Sequence, residues 1–294
     1  MSSVAKSTLF PAELVADVFN KVQGHSSIAR LAKQIPIAFS GNEIMTFSLD
    51  HEVALVGEGA AKPAGDATVT AVTIQPLKVV YQARVNDEFV KCAEEKRLQY
   101  LQAFTDGFAK KIARGLDIMA FHGLNPYDNS TSSLIGTNCL DRNSDVGTEA
   151  YTAGAPESDL TGAISDLTDY EVTGIAMSKT FATALGASTV ANGVRPYEAF
   201  MWGGNPGEIR GIPCDVNSTV GVAASTAVNH YAYVGDFQNA FKWGYAENIP
   251  LEVIEYGDPD NAGDLKRYNQ VLLRAEAYIG WGILDGHAFS RVGD

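Results

Sequence analysis

One stretch constrains this chain more than any other: residues 86–123 carry the pattern of a single long amphipathic helix. Val90, Leu98, Leu101, Phe104, Phe108, Ile112, Leu116 and Met119 fall within roughly 120° of one another when wound at ~3.6 residues per turn. Asn86 is the expected N-cap, and Asp87 and Glu88 put negative charge in the first turn, where free backbone N–H groups and the helix dipole favour it. Gly123 is placed to end the helix, and Pro126 prevents its resumption. At ~1.5 Å per residue the rod is about 50 Å long, so something long must lie along it. Lys91, Glu94, Glu95, Lys96, Arg97, Asp106, Lys110, Lys111, Arg114 and Asp117 interrupt it too often for a membrane span. The stripe, widened by Phe89 and Cys92, is too broad for a coiled-coil seam. A spine packed along a mixed α/β domain remains.

The segments before the spine have too little core to fold alone. Residues 1–42 read as an arm. Pro11 opens a short helix with Leu14, Val15, Val18, Phe19 and Val22 on one face, Gly24 ends it, and a second apolar segment runs from Ser26 to Pro36. Their apolar faces must be buried on the rest of this subunit or on another. From Leu77 to Val85 the period becomes two, with Leu77, Val79, Tyr81, Ala83 and Val85 on one side and Lys78, Val80, Gln82 and Arg84 on the other, the pattern of a strand. Upstream, Ile44–Leu55 and Val69–Ile74 flank the Gly- and Pro-rich run Gly57–Asp66, which marks a loop tip between two strands. An isolated hairpin is marginal in water, so this one is expected to lie on a neighbour. Gly57-x-Gly59 with Lys62 is not a phosphate loop: the third glycine and the Gly-Lys-Ser/Thr ending are missing, and strands follow where a helix is required.

After the spine, residues 124–157 are rich in Asn, Ser, Thr, Gly and Asp and read as an exposed connection. Residues 158–264 read as a second lobe: a helix over Asp159–Leu167, a buried strand over Val172–Met177, and a helix capped by Ser178 and running to Leu185. Strands are expected at Gly207–Val216, Tyr231–Phe237 and Leu251–Tyr256. An acidic turn spans 257–264, and a long strand runs from Val271 through Trp281 and Ile283, with Ala288–Val292 closing the chain. Helices and strands do not alternate regularly, so the fold class is α+β with a mainly antiparallel sheet.

Chemistry is hard to find in this pattern. The five histidines, His25, His51, His122, His230 and His287, lack any paired metal spacing. No nucleophile elbow or protease signature occurs. The turn at Asp258–Asp264 resembles the front of a calcium loop, but Ala262 stands where an oxygen ligand is needed and Asn269 where a bidentate Glu is needed, and a solvated turn is the reading. Cys92, Cys139 and Cys214 are too scattered for a disulfide framework or a zinc site and read as thiols in a reducing compartment. No catalytic, cofactor-binding or metal-binding residue is nominated. The formal net charge of −13 argues against direct attraction to nucleic acid phosphates. No run of ~18 apolar residues and no export signal is visible. Elements that cannot bury themselves within one subunit imply a multi-subunit assembly.

Several runs, taken together, resemble the major capsid proteins of tailed bacteriophages. They are Val56-Gly57-Glu58-Gly59-Ala60-Ala61-Lys62-Pro63, Lys78 to Phe89, Gly115 to Gly123, Ile209-Arg210-Gly211-Ile212-Pro213, Val234-Gly235-Asp236-Phe237, and Ala277 to Asp285 with Ala288-Phe289. The similarity spans nearly the whole chain in order. It implies the Hong Kong ninety-seven capsid fold: an N-terminal arm (1–42), an extended β-hairpin loop over an adjacent subunit (43–85), and a peripheral domain (86–157 and 265–294) built on the spine helix 86–123. An axial domain (158–264) would surround hexamer and pentamer centres, and the C-terminal strands would return to the peripheral domain.

The implied function is a virion shell of hexamers and pentamers assembled in the bacterial host cytoplasm. Its partners would be a portal and a separate scaffolding protein, with dsDNA enclosed without sequence-specific binding and no membrane or cofactor. Inter-subunit contacts are expected at Gly57, Glu58, Gly59, Lys62, Pro63 and Arg84. Some family members begin with a cleaved scaffolding region; this sequence starts near the arm, which implies a mature form or a separate scaffold. Some weld neighbours through a Lys–Asn bond; Lys62 sits near the hairpin tip, but no Asn or activating Glu is identified for it. An encapsulin-like compartment shares the fold, and a soluble enzyme with an unrecognised site is the reading from another class.

Overall fold

The computed structural model describes residues 25–49, 53–88, 94–189, 193–222, 230–246 and 251–293. The first arm helix, Val90 and Cys92 lie outside them. The second arm segment forms α1 (Ser27–Leu31), with Ser26 as N-cap accepting from the Ala29 N–H. Its apolar side is buried in this same subunit, through Ile28 and Leu31.

The spine is α2 (Glu94–Asp117), continued by a π-helical turn over Ile118–His122. Gly123 ends it in the left-handed region at φ 66°, its N–H bonded to the Met119 carbonyl. A Cβ there would run into the Arg142 guanidinium and Cys139 Sγ, so glycine is required twice over. Leu101, Phe108, Ile112, Leu116 and Met119 are buried as the periodicity predicts, whereas Leu98 is 39% exposed. The N-cap expectation is corrected: Asn86 is the last residue of strand β4 (Leu77–Asn86), paired with Gln270. Alternation continues through Val85 into Asn86, and the ladder holds the backbone extended where the cap was expected.

The long strand is β12 (Gln270–Ile283), and it organises the first of two larger sheets. It pairs antiparallel with β4 over Gln270–Ile279, with β11 (Leu251–Ile254), and with β10 (Phe241–Tyr245) at its far end. The two-residue β1 (Lys33–Gln34) adds to β10 in parallel. Spine residues Phe108, Ile112, Leu116 and Met119 share one core with Trp243, Ala277, Ile279 and Trp281 of this sheet. Trp281 donates from Nε1 to the Asn138 carbonyl at 2.8 Å, and Asn138 returns a bond to the Trp281 carbonyl, which satisfies the indole inside the core.

The second sheet runs β5 (Gly147–Ala150), β13 (Phe289–Gly293), β9 (His230–Gly235), β6 (Gly174–Met177), β8 (Ile212–Val216) and β7 (Glu208–Ile209). Helices α3 (Pro156–Ser165) and α4 (Lys179–Ala187) pack on it around Leu160, Phe181 and Leu185. Ser178 caps α4 by accepting from the Phe181 N–H, as its position predicts. The expected single strand at 207–216 is instead a hairpin, turning at Arg210-Gly211 with both residues at positive φ, the requirement of a type I′ turn. The two C-terminal strands part company: β12 rejoins the spine, whereas β13 pairs with β9 and β5 in the second sheet. Both sheets are mostly antiparallel, and the class is α+β.

Candidate assembly surface

The hairpin is β2 (Asn42–Leu49) and β3 (Ala67–Ile74), a two-stranded sheet separate from both larger ones. Its base is seated where Ile74 lies over Gly280 and Gly282 of β12, positions at which a Cβ would crowd the isoleucine. The register sets Met45 opposite Ala71 and Phe47 opposite Val69, so these four side chains share one face. Met45 is 72% and Phe47 65% exposed. Met45, Phe47 and Val69 thus form an exposed apolar patch, of the kind that marks interaction sites. At the tip, Ala60 N–H closes a turn on the Gly57 carbonyl, and Gly59 has φ 78°. Gly57, Glu58, Gly59, Lys62 and Pro63 are all exposed, and among the described residues nothing beyond the immediate chain neighbours lies within 4 Å of where a Cβ of Gly57 or Gly59 would be.

Arg84 does not join them. It lies on β4 and reaches the acidic turn, donating from Nε to Asp260 at 2.8 Å and from Nη2 to the Gly263 carbonyl at 2.7 Å. It also reaches Asp258 and Gln270. The hydrogen bond from Arg84 holds the Asp260 carboxyl below the usual carboxylate range, and Arg84 itself is pushed up by the same bond. The turn expected to be solvated is therefore clamped by an arginine 174 to 179 positions away in sequence, a charge-assisted fork that fixes geometry.

A second polar junction has no sequence signature. Asp117, at the end of α2, is fully buried and accepts five bonds: from Ser26 Oγ (2.5 Å), the N–H groups of Ser27 (3.0 Å) and Ile28 (3.2 Å), Thr219 Oγ1 (2.7 Å) and Asn217 Nδ2 (3.3 Å). Burial pushes its carboxyl up to about 6 in spite of those donors. Beside it, Asp215 accepts from Ser27 Oγ and Arg30. Consecutive serines at the start of α1 thus tie the arm to the spine and to β8 at once.

The described residues offer little to a reaction. His122 is buried, with Nδ1 2.7 Å from Asp141 and Nε2 donating to the Thr219 carbonyl at 2.9 Å; Tyr233, also buried, donates to Asp141. Burial pushes the Tyr233 hydroxyl well above its ordinary range, which makes it a poor nucleophile. Cys139 and Cys214 are buried free thiols, both pushed up by burial, the opposite of a reactive cysteine. Among the described residues, no group of three or more His, Cys, Asp and Glu could hold a metal, and no helix is long and apolar enough to cross a membrane.

Two lobes on one spine, with an outlying hairpin that turns an apolar face to solvent, define the class: a structural subunit made to pack against other chains. The comparisons give the family. The phage capsid family model matches residues 7–292, and the chain belongs to the phage capsid family. A protein of Mycobacterium phage L5 named "Probable major capsid protein gp17" is 25% identical over 95% of this chain and 87% of its own. A solved structure from Mycobacterium phage Ogopogo is 30% identical, covers 92% of both chains and superposes with a TM-score of 0.74. One from Gordonia phage Cozz is 26% identical over 91% of this chain and 86% of its own, at 0.73. The Hong Kong ninety-seven-like fold implied by the resemblance is the fold observed.

Proposed function

We propose that this chain is the major capsid protein of a tailed phage, forming hexamers and pentamers that close into an icosahedral shell around a dsDNA genome. Its role is structural, in the virion, with assembly in the bacterial cytoplasm on a portal and a separate scaffolding protein. The observation that carries this reading is the hairpin: within a chain of the capsid family, Met45, Phe47, Val69 and Ala71 lie exposed on one of its faces, with no partner surface among the described residues. In the assembled shell this face lies on the neighbouring subunit and the tip around Gly57–Pro63 reaches beyond it. The arm is 1–42, the extended loop 43–85, the peripheral domain 86–157 and 265–294, and the axial domain 158–264. Arg84 serves this contact from within, by stiffening the body from which the hairpin departs. A net charge of −13 suits a container filled by a motor, since such a wall need not bind phosphates. Deleting residues 58–64 tests the assignment. Folded subunits with a marked loss of closed particles by electron microscopy are expected; shells at wild-type yield would refute it.

A further inference from the structure

Backbone strain singles out two residues. Among the described residues, five other than glycine have positive φ: Asn129, Trp202, Arg210, Asn261 and Asn269. Asparagine visits that region readily, whereas for a bulky side chain it is an outlier that persists only where the surroundings over-determine it. Trp202 and Arg210 are therefore the two to explain. Met201 (φ −55°, ψ 142°) and Trp202 (φ 57°, ψ 25°) take the central positions of a type II turn, whose second position suits glycine. The turn is held down: Phe200 is buried, and Gly186 of α4 lets the Phe200–Met201 backbone sit where a Cβ would collide. A rigid, strained loop thus presents an indole that is 89% exposed, a poor use of tryptophan unless something covers it.

The same lobe carries an apolar hollow. A cavity of about 290 Å³ opens between α3 and the β7–β8 hairpin, floored by Leu160, Ile164, Ile175, Ile209 and Ile212, and Trp202 is not among the residues that line it. Arg210 stands at its rim, its guanidinium 5.4 Å from the Tyr197 ring and its Nε donating to the Tyr197 hydroxyl at 3.1 Å. Tyr197 is also bonded to Glu157. An apolar floor with the Arg210 guanidinium and the Glu157 carboxylate side by side at the rim suits an indole, whose face attracts a guanidinium and whose N–H needs an acceptor.

We propose that Trp202 of one copy of this chain inserts into the α3/β7–β8 cavity of the next, beneath Arg210. A knob and a hole at different places on one chain make a heterologous contact, which repeats head to tail and closes into a ring when the rotation permits. The partner is thus a second copy, and the contact lies within the pentamers and hexamers. This rests on the shell reading above. The backbone strain at Trp202 distinguishes an anchor from a structural residue: Trp202→Gly relieves the turn, so the unassembled subunit should unfold at the same or a higher urea concentration while ring formation falls at least tenfold. A variant that fails to fold, or that forms rings at wild-type yield, overturns the assignment. Proximity is read directly with Trp202→Cys/Arg210→Cys, oxidised in assembled particles and run without reductant. A ladder reaching five and six subunits, absent from either single variant, is expected. Wild-type shells together with no ladder, or with dimers alone, would refute the knob and leave the shell reading standing; no wild-type shells in any condition would refute that reading itself.

Discussion

Asp117→Asn asks which of two opposing effects governs the buried junction at the end of the spine. Five donors converge on the carboxylate, and each favours the ionised form; removal from water favours the neutral one. The balance lies with burial, since the carboxyl is pushed from 3.8 up to about 6. In the unfolded chain it titrates near the lower value. Folded subunits therefore hold a proton between about pH 4 and 6 that unfolded ones have released, and this group's contribution to stability is full below pH 3.8 and lost as pH rises through 6. A difference of this size corresponds to about 3 kcal/mol. Asparagine carries no charge at any of these values, so its stability lacks that loss. Relative to wild type, Asp117→Asn should gain about 2–3 kcal/mol between pH 3.5 and 7.5, measured by urea unfolding of unassembled subunits with tryptophan fluorescence. The comparison cancels the titration of the exposed carboxylates. A gap constant with pH would show an unshifted carboxyl. A gap that moves against the variant as pH rises would show that the donors outweigh burial, and the reasoning would be wrong.

Trp281→Ala removes a buried indole from the core shared by spine and first sheet and strands the Asn138 carbonyl; a loss of about 3–5 kcal/mol is expected in the same unfolding assay. Gly123→Ala forces a Cβ into the left-handed cap and against Arg142 and Cys139, and should cost at least about 1–2 kcal/mol; a neutral result would contradict the cap geometry. Arg84→Ala frees the turn at 257–264 from its clamp: amide exchange there should quicken while exchange in β12 stays slow, and an unchanged turn would show that Arg84 is dispensable to it.

Local patterns are legible in the sequence where side-chain periodicity or turn residues mark an element by themselves. The stripe Leu101 to Met119 located the spine, alternation from Leu77 located β4, and the Gly- and Pro-rich run between two β-rich segments located the hairpin. Ser178 was readable as a cap because a cap bonds to residues three positions on. What escaped is what depends on distant partners. Strand β10 is covered on both sides and shows no alternation. Asn86 looked like a cap until the ladder with β12 claimed it. Asp117 gave no sign of its role, because its acceptors are filled by residues 89 to 102 positions away, and in the sequence it was merely another charge on a helix. The resemblance gives Arg84 as a contact residue, yet its partners lie in a turn whose acidity alone suggests only solvent. The cavity beneath Arg210 exists because the 207–216 segment doubles back at Arg210-Gly211; the two residues after Ile209 were the available signal.

Copies of this chain are expected to close a shell, the hairpin of each laid on its neighbour. Cryo-electron microscopy of particles assembled from the full chain, with neighbouring genes co-expressed where needed, tests it most directly. Closed icosahedral particles are predicted, in which density for Met45 and Phe47 meets the adjacent subunit. Subunits that remain monomers in every condition, or shells in which the hairpin folds back on its own body, would contradict it.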